Sequence, residues 1–246
     1  MISPTKPAPL AASAVRTSAL DPLLTLGVVA FVAALVRAAL FTPPDAAQGM
    51  AQKIFYVHAP SAFVALYCAC GLVLICSALW LWLKDERLDR VADSAAEVGL
   101  AFLTVVLITG PLWGRPVWGA FWTWDARLTL SLFLWFVLLG YQILRGAVEE
   151  SEQRARFSAV LGVLAGCLVP FIHLSVYLFR TLHPMPIVLK PERPSLPSEM
   201  LRTLLFSFAA FVLVYVALLR ARYGLATERA ELADREGPSD GERRDG

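Results

Sequence analysis

Charge is scarce in this chain of 246 residues: Asp, Glu, Lys and Arg together make up only 17% of it. The four cysteines form no Cys-x-x-Cys pair. Cys68 and Cys70 would point to different faces of a helix, so Cys68, Cys70, Cys76 and Cys167 read as small apolar side chains. No glycine-rich phosphate loop ending in Lys-Ser/Thr occurs, which excludes ATP hydrolysis by that route. No internal repeat is visible, and no nucleic-acid partner is expected. Histidine is limited to three positions, His58, His173 and His183.

What the chain has in excess is apolar surface. It is 57% hydrophobic, with a mean hydropathy of +0.61. A run of about 18 or more apolar residues matches the ~30 Å hydrocarbon core of a bilayer. Six such runs stand out, roughly 23–41, 60–83, 95–113, 128–145, 157–179 and 201–219. Little sequence lies outside them, so there is no room for a separate soluble domain. The expected fold is an all-α polytopic membrane protein. A cytoplasmic segment 1–22 precedes a six-helix membrane domain 23–220, and a cytoplasmic tail 221–246 follows, disordered from about Thr227.

An even number of spans puts both termini on one side. With the N-terminus inside, fourteen of the 22 basic residues fall on inner segments and eight on outer ones. That bias places both termini in the cytoplasm. The first apolar run is longer than a signal-peptide core and lacks a small-x-small cleavage site, so it is read as an uncleaved span. Asp21-Pro22 fits a helix start, with an N-cap acceptor followed by Pro in the first turn.

The outer loops are unusual. The first, 42–59, ends in Ile54-Phe55-Tyr56-Val57-His58. The third, 180–200, holds His183 and five prolines, which favours an extended, ordered path. The second, 113–127, reads Trp113-Gly-Arg-Pro-Val-Trp118-Gly119-Ala-Phe-Trp122-Thr-Trp124-Asp125-Ala-Arg127. An interfacial aromatic belt accounts for one or two tryptophans per helix end, as with Trp80 and Trp82. It accounts poorly for four within twelve positions joined to two glycines and an aspartate. Trp118 and Trp122 share a face if helical, Trp122 and Trp124 if extended. Either way the segment forms an aromatic shelf, and Gly119 lets a flat ligand approach the backbone.

His58 and His183 both lie on the outer side, on either hand of this shelf. A single histidine at a helix end is commonly an interfacial residue. Two neutral imidazoles together can fill both axial positions of heme iron. His173 falls within the fifth span, about three turns deeper, where a buried hydrogen-bonding role is expected. Arg127, and less directly Arg115 and Arg180, suit bidentate pairing with heme propionates; an internal pair of Arg127 with Asp125 is the alternative. Arg37 and Arg202, near span ends, are expected to snorkel.

Trp118-Gly-Ala-Phe-Trp122-Thr-Trp124-Asp125-Ala-Arg-Leu-Thr resembles the WWD signature of heme-handling proteins in cytochrome c biogenesis. Together with Trp113-Gly-Arg-Pro, Tyr56-Val-His58-Ala-Pro60 and Thr181-Leu182-His183, it resembles the C component of the cytochrome c maturation system, the heme exporter protein C family. The resemblance covers nearly the whole chain. It departs at Phe121, where a tryptophan is frequent, and at Pro184, where a polar residue is common. It implies heme b held on the periplasmic face of the bacterial inner membrane. The axial ligands would be His58 and His183; Trp113, Trp118, Gly119, Trp122, Trp124, Asp125 and Arg127 would form the platform around them.

It further implies delivery of that heme to the periplasmic heme chaperone, the E component. Partners would be the ATP-binding cassette components A and B and the small D component, with membrane lipid around the helices. Such a protein is a heme-transfer factor rather than an enzyme. Two other heme functions compete: a heme lyase of the same superfamily, whose members are longer and richer in histidine, and a b-type cytochrome subunit, which needs paired histidines inside facing helices. A non-heme transporter whose tryptophans merely anchor it is the third alternative.

Overall fold

The computed structural model describes residues 21–179, 181–185, 187, 190 and 194–236, with 234–236 described by their backbone alone. The expectations for segment 1–20, for Arg180 and for residues 237–246 lie outside the described residues. Helix α1 (Pro22–Val36) opens as its sequence requires: the Asp21 carboxylate accepts from the backbone N–H of Leu23 and Leu24, and Pro22 occupies the first turn. A π-helical turn, Arg37–Phe41, closes it. After a turn at 45–49, a 3₁₀ segment (Met50–Ile54) leads into α2 (Phe55–Phe63). A second π turn, Val64–Ala69, joins α2 to α3 (Cys70–Leu83), making one long span.

Then follow α4 (Glu86–Trp118), α5 (Ala126–Ala147), α6 (Ser151–Leu178) and α7 (Ser198–Glu236). Among the described residues no strand forms, and six helical segments are long and apolar enough to cross a membrane. The chain is a multi-pass membrane protein. Its lipid-side faces carry the residues a soluble protein would hide, such as Val29, Ile75 and Trp82.

Small residues set the helix contacts, because between membrane helices close packing does much of what water exclusion does in a soluble core. A Cβ added at Gly166 would collide with the Leu74 side chain, and one at Gly162 with Ser77. These glycines let α6 lie directly on α3. The central core joins Val64, Ala69 and Val73 to Ala95 and Leu103 of α4, Leu138 of α5, Ile172 of α6 and Phe211 of α7. A smaller cluster at one end gathers Phe55, Tyr56, Trp113 and Leu204. At the other end lies a polar cleft of about 980 Å³ bordered by Asp89, Asp93, Glu97, Arg145 and Arg222.

Three expected boundaries move. The stretch before Pro60 is helical from Met50, so His58 stands on a helix rather than in a loop. Helix α4 runs through Trp118, so Trp113 and Trp118 sit on its last turns and the true loop is 119–125. Finally, α7 continues through Glu236 instead of fraying at Thr227. Residues 225–236 are mostly Ala, Leu, Glu and Arg, strong helix formers, and extending an existing helix needs no new nucleus.

Candidate functional site

The second cluster borders a cavity of about 310 Å³, within the roughly 300–1,000 Å³ range of ligand sites. All three histidines line it, with Trp113, Trp118, Trp122 and Arg127. Segments far apart in sequence are therefore brought together: α2, the end of α4, the 119–125 loop, α5, α6 and the 181–187 stretch.

His58 is held by α4. Its Nδ1 lies 3.0 Å from Thr109 Oγ1, while the Thr109 hydroxyl donates to the Val105 carbonyl at 2.7 Å. With its proton committed there, Thr109 Oγ1 accepts, so His58 carries its proton on Nδ1 and leaves Nε2 bare. Gly110 makes the approach possible: a Cβ there would stand 3.3 Å from His58 Cε1. The Trp113 ring meets the imidazole edge-on at 5.7 Å. Trp113 is itself fixed by an N–H bond to Gln48 Oε1 at 2.9 Å and by Phe55 at 5.6 Å.

His183 arrives at the same tautomer by another path. Its Nδ1 lies 3.0 Å from the Pro184 carbonyl, which can only accept, so Nδ1 again holds the proton. Its backbone N–H donates to Thr181 Oγ1 at 3.0 Å. Burial, and next the nearby Arg127 guanidinium, hold His183 down at about 3, so the ring is neutral at physiological pH. A neutral imidazole with a bare Nε2 is the form that binds a metal, and the Nδ1–H bond to an acceptor is what orients it. Both histidines are half-buried and within electrostatic range of each other.

The tryptophans divide. Trp113 is buried, and Trp118 lies 6.4 Å from it with the planes 34° apart. Trp122 lines the cavity, and its indole N–H is buried without a hydrogen-bond partner among the described residues. Trp124 meets Trp122 edge-on at 5.7 Å but is 76% exposed and stands off the cavity wall.

Gly119 also stands off the wall. With φ at 79° it ends α4 in the left-handed conformation, and its carbonyl accepts from Arg115. Gly119 thus caps a helix, and the space where a side chain would stand is open. Asp125 likewise caps α5, accepting from the Leu128 N–H at 3.0 Å and the Thr123 hydroxyl at 3.2 Å. It starts the helix that presents Arg127, and its charge reaches both Arg127 and His183 on the cavity wall.

Arg127 Nη1 donates to the Ile172 carbonyl at 3.4 Å. Among the described residues no carboxylate lies within ion-pair distance of it, so the Asp125 pairing does not form. Sequence reasoning missed Thr109 and Gly110, since a Thr-Gly step inside an apolar run reads as ordinary helix packing. It placed His173 correctly at a hydrogen bond, to Tyr67 at 2.7 Å, but not on the wall of this cavity.

The heme exporter protein C family model matches residues 5–236, nearly the whole chain and every residue of this cavity. The chain belongs to the heme exporter protein C family. The heme exporter protein C of Bradyrhizobium diazoefficiens is 36% identical over 82% of this chain and 76% of the relative. That of Haemophilus influenzae is 34% identical over 83% of each, and that of Paracoccus denitrificans 31% identical over 89% and 91%. Membership marks the chain as a transmembrane heme exporter of cytochrome c biogenesis, and the cavity is where this heme exporter gathers its histidines.

Proposed function

We propose that this protein binds heme b in the cavity on the periplasmic side of the inner membrane, with His58 and His183 as axial ligands, and passes it to the periplasmic heme chaperone. The observation that carries the reading is that His58 and His183 stand on one cavity wall, each with Nδ1 3.0 Å from an oxygen and Nε2 left for a metal. Iron in a porphyrin accepts two such nitrogens, one on each face. Trp113, Trp118 and Trp122 supply apolar surface that keeps water from the macrocycle. Arg127, a cation without a carboxylate partner among the described residues, suits a propionate.

The chain's own work is positioning: it caps the iron, shields the faces and holds one edge still. Exposed Trp124 and the 119–125 loop, shaped by Gly119 and Asp125, form the outer rim where the chaperone would approach. The cassette components A and B and the small D component are the further partners, and both termini are cytoplasmic.

Visible spectroscopy of the full chain purified in detergent tests the ligands. Wild type is expected to show a six-coordinate heme spectrum, and the His58→Ala, His183→Ala double variant to lose it. An unchanged Soret band in the double variant would sink the bis-histidine assignment. Transfer is read by adding apo-chaperone and following heme between the two proteins; retention on this chain under all conditions would overturn delivery.

A further inference from the structure

The third histidine shares the cavity wall but is built differently from the other two. His173 sits five residues before the end of α6, about 7.5 Å down the helix from the membrane surface end. Its Nδ1 is 2.7 Å from the Tyr67 hydroxyl, an oxygen that can both donate and accept. Two arrangements satisfy that contact. If Tyr67 donates to Nδ1, His173 keeps an Nε2–H. If His173 donates from Nδ1, Tyr67 keeps its O–H. In either case the pair retains one N–H or O–H that the contact does not use.

Arg127 belongs to the same corner. It is bonded to the carbonyl of Ile172, the residue before His173, and lies within electrostatic range of the Tyr67 hydroxyl. Tyr67, His173 and Arg127 all line the cavity. Two donor groups thus stand side by side on its wall: the Arg127 guanidinium, which also lies near His183, and a Tyr–His pair with one donor to spare, whose Tyr67 lies nine residues past His58 toward the membrane interior. The upper part has bare imidazole nitrogens and indoles instead. A ligand fitting both would carry a metal amid an apolar plane and two carboxylates on one edge.

We propose that Tyr67 and His173 form a second carboxylate site beside Arg127, so that heme enters with its propionate edge toward the membrane interior. Resting on the heme reading above, this sets which edge faces outward. In protoporphyrin the vinyl groups lie on the edge opposite the propionates. Anchoring both carboxylates deep in the cavity therefore presents the vinyl edge to the rim at Trp122 and Trp124.

The test compares heme with its dimethyl ester, in which both carboxylates are masked while the iron and ring are unchanged. Binding of each to the full chain in detergent is titrated at the Soret band. Wild type is expected to prefer heme, and Tyr67→Phe and His173→Leu each to lower that preference about tenfold, as loss of a hydrogen bond to a charged group implies. The Soret position of bound heme should not move, because the axial nitrogens are untouched. His173→Gln, which keeps a donor, should restore most of the preference.

Equal affinity of wild type for both porphyrins, or an undiminished preference in the two variants, would overturn the carboxylate site and leave the axial assignment standing. Failure of wild type to bind either porphyrin would instead overturn the heme reading and this site with it. If His173→Leu does not fold, Tyr67→Phe, which removes a single oxygen, carries the comparison alone.

Discussion

The two ends of the helix bundle treat charge in opposite ways. In the cleft at the start of α4, Arg145 forks onto Asp89 through two bonds of 2.7 and 2.9 Å and reaches Asp93 at 2.9 Å. Arg222 on α7 pairs with Glu97. Those side chains are committed to one another and tie α4 to α5 and α7. In the cavity at the far end, Arg127 has only a long bond to a backbone carbonyl, with the Tyr67 hydroxyl and the Asp125 carboxylate in electrostatic range but none of the described carboxylates at ion-pair distance. A charge already neutralised within the fold is part of the scaffold. One left without an ion-pair partner at a cavity wall is available to the carboxylates of the ligand proposed above.

The sharpest way to break this contrast is to remove one arginine from each end. Arg145→Leu would strand two acidic side chains that are mostly buried, and should cost about 3 kcal/mol of stability. Arg127→Leu should stay within about 1 kcal/mol of wild type, since no ion pair is lost. It should weaken heme binding about tenfold. Denaturant unfolding in detergent, beside a Soret titration, reads both. Equal destabilisation by the two changes would erase the distinction.

A finer test lies in the support of His58. Thr109→Val removes the acceptor that holds Nδ1–H and should lower heme affinity roughly tenfold, whereas Thr109→Ser should preserve it. The smallest effect is expected at the rim. Gly119→Ala forces a side chain into the left-handed region and should cost about 1 kcal/mol, read as a shifted unfolding midpoint. The heme spectrum should be unaltered, because Gly119 lies off the cavity wall.

Much of this was readable in the chain. Six apolar runs specify six spans because nothing else can satisfy a backbone in lipid. His58, His183 and the tryptophans stood out because such residues are costly or rare in that setting. What could not be read depends on which helices meet. Tyr67 and His173 are 106 positions apart and become a pair only because the second span, Met50–Leu83, and α6 pack together through small residues. Thr109 and Gly110 serve His58 across 51 positions and carry no local mark of it. Gly119 and Asp125 were conspicuous as parts of a ligand platform, but their helix-capping contacts could not be read from the motif.

Helix α7 borders both ends, with Leu204 and Phe208 on the cavity and Arg222 and Arg229 on the charged cleft. Its 39 residues span about 58 Å without a proline after the start. A rod of that length is a lever: tilting it by about 10° around its midpoint swings each tip by roughly 5 Å, in opposite directions. Leu204 on the cavity wall and Arg222, held by Glu97 at the cleft, therefore ride on one continuous helix about five turns apart.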